Sequence, residues 1–303
     1  MSPIVPGLVA AVCWGISDWL ARTLSRELGA FRAQLWSQAA GFVLLAGAVL
    51  VTGAGAAALD IDNARVWAFA FVYAAIIGVA GLVFFEAFGQ GRLVVVAPIV
   101  GGYGAVTLAW SVAFGARPSM LQWAGFTFAI VGAIAASMPA DTSSTTTTAL
   151  LTAHRARERR GTVFAVVAAL LFGTAFFVLS REVAPTLGSL VPALLSRTVG
   201  PVCFVAVHQL WRPQTGFFAT SIAPPPPGSR MSTLMAGVLA STATVATGLG
   251  ASGEDGVVVA VLGSLSVVVT VVIGLVLLRE RLGRLQWAGV ALALAGIPLL
   301  ALR

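Results

Sequence analysis

Leu121-Gln122-Trp123-Ala124-Gly125 returns as Leu285-Gln286-Trp287-Ala288-Gly289. The echo continues downstream, where Ala129 and Gly132 are answered by Ala293 and Gly296. It also extends upstream. Val94-Val95-Val96-Ala97 matches Val257-Val258-Val259-Ala260, Ser37 and Gly41 match Ser196 and Gly200, and Trp14-Gly15 is echoed by Phe172-Gly173. The order is the same in both halves, so the chain reads as one unit written twice.

Each matched segment lies in a long apolar run. A bilayer-spanning helix needs about 20 mainly apolar residues. Ten such runs are present, at 3–22, 32–52, 65–88, 93–115, 119–138, 161–180, 188–211, 231–251, 256–278 and 285–302, five to each unit. They are continuous rather than alternating in polarity, which predicts helices and not a barrel. Composition agrees. Of 303 residues, 58% are apolar and 10% charged, against ~45–50% and ~25% in soluble domains. That balance excludes a water-soluble fold and a disordered chain. Cys13 and Cys203 sit in separate apolar runs, so neither a disulfide nor a zinc cluster is expected. No basic stretch precedes the first run, which therefore reads as a retained helix rather than a cleaved signal. The expected fold class is an all-α integral membrane protein of ten transmembrane helices, built as two inverted five-helix repeats.

The inversion follows from parity. A five-helix unit ends on the opposite side of the bilayer from where it began, so its copy crosses in the opposite sense. The 18 basic residues are all arginine. Thirteen cluster at the odd-numbered connections, four at the even ones or the C-terminus, and Arg197 lies inside a helix. Equivalent connections of the two copies thus carry opposite bias. The positive-inside rule places the odd connections in the cytoplasm and both termini outside. Single arginines between apolar runs serve topology, and no nucleic-acid partner is expected. The expected organisation is a first repeat at 1–138, a basic Ser/Thr-rich linker at 139–160 and a second repeat at 161–303. A second long connection, Pro213 to Arg230, holds Pro224–Pro227 and reads as an extended spacer.

Polar groups inside a bilayer are costly and need a reason. Arg197 lies mid-run in helix 7, and its repeat partner is Gln38. It reads either as an anchor for an anionic group such as a carboxylate or as a structural arginine. Asp18 reads as an i,i+4 partner of Arg22 or as a coupling residue. Glu86 reads as a proton-coupling carboxylate or as a group snorkelling toward the headgroups. Proline and glycines interrupt helix 4 at Pro98-Ile99-Val100-Gly101-Gly102-Tyr103-Gly104, and the helix 9 counterpart is Gly263-Ser264-Leu265-Ser266. Interruptions at matching places in two copies point to a binding site, with close helix packing as the alternative. Tyr103, Ser264 and Ser266 are the hydrogen-bonding candidates there, and Trp14 and Trp110 are candidates for cavity walls. The glycines of the Leu-Gln-Trp-Ala-Gly helices read as packing seams.

This pattern resembles the drug/metabolite transporter superfamily, EamA type, whose members carry two five-helix repeats. The resemblance rests on Val95-Val96-Ala97-Pro98, Val258-Val259-Ala260, the two Leu-Gln-Trp-Ala-Gly segments and the turn Leu278-Arg279-Glu280-Arg281-Leu282. That turn is similar to the family's Gly-Glu-Arg type turn, whereas the first half has Gly115-Ala116-Arg117-Pro118 and lacks the acid. The resemblance implies transport of a small metabolite, often amino-acid-like or drug-like and usually outward; with Arg197 as an anchor the expected substrate is amino-acid-like or anionic, carried by alternating access. It also implies a multi-pass protein of the cell (plasma) membrane, with lipid and a small-molecule substrate as partners and no cofactor. Monomer and homodimer are equally compatible with it. It implies cytoplasmic termini, opposite to the arginine bias. Two other readings stand beside it. Gly250-Ala251-Ser252-Gly253 resembles the nucleophile motif of an intramembrane hydrolase, but the two histidines, His154 and His208, both precede it. A non-transporting sensory membrane protein is the other.

Overall fold

The computed structural model describes residues 3–138, 148–211, 222–250 and 256–301. It is 88% helical, and the described residues form no strand. In chain order the helices are α1 (Ile4–Leu28), α2 (Ala30–Thr52), α3 (Ala54–Leu59), α4 (Ala64–Gln90), α5 (Leu93–Gly101), α6 (Tyr103–Ala113), α7 (Met120–Ser137), α8 (Thr148–Val178), α9 (Ala184–Leu187), α10 (Leu190–Trp211), α11 (Pro227–Gly250), α12 (Gly256–Ser264), α13 (Ser266–Val276) and α14 (Arg284–Ala301). A π-turn over Leu179–Val183 joins α8 to α9. Among the described residues nine helical stretches are long and apolar enough to cross a bilayer, with α5–α6 and α12–α13 each forming one broken span. The apolar part of α14, Arg284–Leu300, is shorter. The protein is a multi-pass integral membrane protein.

Helix packing repeats in pairs. α1 packs on α11 and α8 packs on α4; α2 packs on α11 and α10 on α4; α1 packs on α12–α13 and α8 on α5–α6. Two contacts map onto themselves, α2 with α10 and α7 with α14, and the fourth span meets the ninth through α5 and α13. Exchanging the first five spans for the second five leaves this set unchanged. Individual glycines follow the same exchange. A Cβ on Gly200 would stand 2.9 Å from Gly78 Cα, and one on Gly41 would stand 2.9 Å from Gly237 O. The expected seams between α7 and α14 are present, with Gly125 against Gly296 and Gly132 against Gly289. Small residues there let backbones touch, because lipid offers no hydrophobic drive between helices.

The repeated Leu-Gln-Trp-Ala-Gly segment has a local reason. Gln122 completes a capping box with Ser119, its Oε1 accepting from Ser119 N at 3.0 Å. Gln286 Oε1 accepts from Gly283 N at 3.1 Å in the same role. The tryptophans one residue later stay exposed, as interfacial anchors do.

Three boundaries differ from the sequence reading. α1 runs to Leu28, not residue 22, so Asp18 lies inside the helix; in the added turns Arg22 pairs with Glu280 in the turn before α14 and Arg26 donates to Gly89 O and Gly91 O. The basic cluster Arg155–Arg160, read as linker, is the first part of α8, since Ala, Leu, Arg and Glu are good helix formers. Within 139–160, residues 139–147 lie outside the described residues. α11 begins at Pro227 rather than 231, proline being well tolerated in a first helical turn. Pro224 and Pro225 are docked rather than free: Arg32 donates to Ala223 O and Pro224 O, and Arg230 Nε donates to Pro225 O.

The two ends of the bundle differ. At the linker end Glu280 is clamped: its Oε1 lies 2.7 Å from Arg22, and its Oε2 accepts from Val94 N, in the first turn of α5, at 3.0 Å. Around it Arg26 donates to Gly89 O and Gly91 O, Arg157 donates to Gly89 O, and Arg92 pairs with Glu158 at 3.1 Å. This network ties α1, α4, α5, α8 and the turn before α14 together. At the termini end the described ion pairs are the more exposed Arg65–Glu182 and Arg181–Glu182.

Candidate substrate cavity

The breaks in the fourth and ninth spans coincide in register. α5 gives way to α6 at Gly102 (φ −65°, ψ −1°), and α12 gives way to α13 at Leu265 (φ −66°, ψ −7°). Keeping the Val94/Val257 register, Gly102 and Leu265 are the same position of the repeat. The residue after each break, Tyr103 and Ser266, lines one central cavity of about 320 Å³.

Glycines hold these breaks against their neighbours. A Cβ on Gly15 would meet Val269 at 2.5 Å and Ser266 O at 3.1 Å. One on Gly173 would meet Val106 at 2.4 Å and Tyr103 O at 2.6 Å. Ser266 and Val269 are the repeat counterparts of Tyr103 and Val106, so each first helix seats the broken span of the other half by the same contact.

Arg197 and Gln38, also repeat counterparts, meet: the guanidinium donates to Gln38 Oε1. Both line the cavity. Among the described residues no carboxylate pairs with Arg197. Its neighbour in the lining, Tyr73, is buried. Ser37 also lines the cavity, and its buried hydroxyl has no hydrogen-bond partner.

Asp18 lines the same cavity from α1. Its Oδ2 accepts from Thr270 Oγ1 at 2.8 Å, and Thr270 is fully buried. Arg22 instead reaches Glu280, so the two residues do not form the i,i+4 pair. In the Gly15/Gly173 register Asp18 corresponds to Phe176, which packs its ring 5.0 Å from that of Tyr103. The repeat therefore places unlike chemistry at like positions: aspartate against phenylalanine, glutamine against arginine, serine against tyrosine. Trp14, Phe84, Phe172 and Phe176 supply an aromatic wall.

Of the residues expected from sequence, Arg197, Gln38, Tyr103, Ser266, Trp14 and Asp18 converge here. Ser264 lies outside the lining, its hydroxyl donating to Val261 O at 2.6 Å. Glu86 is also outside, accepting from Gln90 one turn on. Trp110 faces away and donates to Thr174 at 2.9 Å. Tyr73, Ser37, Gln34 and Thr244 were missed. Tyr73 had a signal: the chain has two tyrosines, and this one stands alone in the apolar run of α4. The hydrolase-like Gly250–Gly253 motif lies largely outside the described residues. The lining extends from Phe88, near the linker end, to Ser189, in the turn before α10 at the termini end.

The fold is thus a helical membrane bundle with two broken spans around a polar, aromatic-walled cavity. Residues 159–302, just under half of the chain, match the EamA-like transporter family, consistent with the drug/metabolite transporter superfamily. Members of that family are transporters of small solutes, not enzymes. No curated protein matches the chain. A solved structure described as "Crystal structure of protein" is 16% identical and superposes over 98% of this chain and 96% of its own, with a TM-score of 0.61. That likeness concerns the fold.

Proposed function

We propose that the chain is an alternating-access carrier of the plasma membrane that exports a small organic solute bearing an anionic group, with amino-acid-like solutes as the favoured class. Two five-helix units, 1–138 and 161–303, joined by 139–160, rock about the central cavity. The observation that carries this reading is Arg197: a half-buried cation in the cavity, held by a neutral amide rather than a carboxylate, beside a Ser37 hydroxyl that has no partner among the described residues. Such a cation has an open electrostatic partner position, and a solute carboxylate fills it with charge-assisted hydrogen bonds. Tyr73, Tyr103 and Ser266 supply further hydrogen bonds, and the aromatic wall takes the apolar part of the solute.

Asp18 is the coupling residue in this scheme. It is a carboxylate in the same cavity with one hydroxyl partner among the described residues, so a proton or a cationic solute group can share it. The clamped linker end and the lining that climbs to Ser189 support an access path from the termini end in this state.

Counterflow into proteoliposomes against a panel of amino acids, nucleosides and cationic dyes tests the scheme. Exchange of a carboxylate-bearing solute, weakened in Arg197→Gln, is expected. Exchange confined to cationic dyes and indifferent to Arg197 would overturn it.

A further inference from the structure

We propose that the linker end carries a second site, separate from the transport cavity, that binds the phosphate headgroup of an anionic phospholipid. A pocket of about 440 Å³ opens there among α5, α7, α8 and α14. Arg155 and Arg159 are one helical turn apart on α8, and both line it. So does Val163, one turn further along the same face.

The polar groups of the pocket divide into two kinds. Arg92 is fully engaged, pairing with Glu158 at 3.1 Å and donating to Arg281 O and Gln286 Oε1. Gln286 in turn donates to Met138 O at 2.8 Å, and Ser137 and Thr162 donate to carbonyls of their own helices. Arg155 and Arg159 are exposed and have no ion pair among the described residues. Glu158 is the carboxylate of the lining, and Arg92 already holds it, so the pocket keeps an excess of two positive charges.

Below the arginines the walls turn apolar and face outward. Val163, Val166 and Leu170 on α8 are exposed, as are Ile130, Ile134 and Met138 on α7. Two free guanidiniums above two outward-facing apolar stripes match a phosphodiester above its acyl chains. A soluble phosphate compound uses the arginines but not the stripes. Basic pockets between membrane helices at the headgroup level bind anionic lipids in this way. The site lies at the arginine-rich end of the bundle, which the positive-inside rule assigns to the cytoplasmic side, where the leaflet is anionic.

The test uses the purified full-length protein in neutral detergent, with native mass spectrometry and thermal melting as readouts. The probes are phosphatidylglycerol, phosphatidylcholine of the same chain length, and glycerol phosphate. Phosphatidylglycerol is expected to form retained adducts and raise the melting temperature, while the other two do not. Arg155→Gln/Arg159→Gln is expected to weaken phosphatidylglycerol binding about 30-fold. Arg160→Gln, an exposed arginine of the same segment outside the lining, is expected to leave it unchanged. Equal binding by the double variant would overturn the site. Equal stabilisation by glycerol phosphate would overturn the lipid as its ligand. Both outcomes are independent of whether the central cavity carries an anionic solute.

Discussion

Arg197 and Gln38 occupy one position of the repeat yet do different work, because the pseudo-symmetry brings them face to face. Two arginines there would repel across a short gap, and two glutamines would leave the cavity with Asp18 and no cation. One of each places a single cation with a neutral hydrogen-bond partner. Arg197→Lys keeps the charge but loses the planar fork, and it should impair an anionic solute more than a neutral one in paired proteoliposome uptake assays. Arg197→Gln should raise the half-saturating concentration of an anionic solute by about 10- to 100-fold, the worth of one charge-assisted contact. Equal loss for anionic and neutral solutes in a folded variant would assign the arginine to structure alone. Asp18 belongs to the same scale. With Thr270 as its hydrogen-bond partner, Asp18→Asn should abolish the dependence of uptake on an imposed pH gradient. Glu86→Gln, outside the cavity, should preserve that dependence; the opposite pattern would move the coupling role to Glu86.

At the scale of elements, the fourth and ninth spans are broken helices whose breaks are held by glycines of the first and sixth. Where two backbones touch, added side-chain volume has nowhere to go. Gly200→Val places carbon against Gly78 and should destabilise the α4–α10 contact by about 1–3 kcal/mol, read as a lowered melting temperature in detergent. The clamp on Glu280 is a second joint between elements. Arg22 and Glu280 side chains are 12% and 7% exposed, so removing one partner strands the other. Glu280→Ala should cost about 3–5 kcal/mol, whereas Glu280→Gln, which keeps an acceptor for Val94 N, should cost less. Equal melting temperatures for wild type and both variants would show that the clamp contributes nothing to the closed linker end.

For the whole molecule, the packing set that survives exchange of the two five-span halves predicts two end states related by that exchange. The linker end is stitched, and the termini end is reached by the cavity lining at Ser189. In a Cys13→Ser/Cys203→Ser background, Ser189→Cys should react readily with a maleimide and be protected by transported solute. Glu280→Ala should lower that reactivity, because loosening the linker end shifts the population toward the opposite state. Added to intact cells, a membrane-impermeant maleimide should label Ser189→Cys, as the arginine bias requires. Labelling only after permeabilisation would reverse the orientation.

Much of this was written in local sequence. Span length, apolar continuity and the odd count of the repeat determine a helical membrane bundle with opposed halves, since each depends on residues near one another in the chain. The breaks at Gly102 and Leu265 were legible for the same reason, and so was the cost of placing Arg197 and Asp18 inside apolar runs. Partners were another matter. That Asp18 meets Thr270 rather than Arg22, that Glu280 takes Arg22, and that Glu86 misses the cavity depend on which helices become neighbours and how each is rotated. Tertiary packing decided those contacts, because in lipid a helix surface is apolar on every side and its pattern no longer reveals which face turns inward.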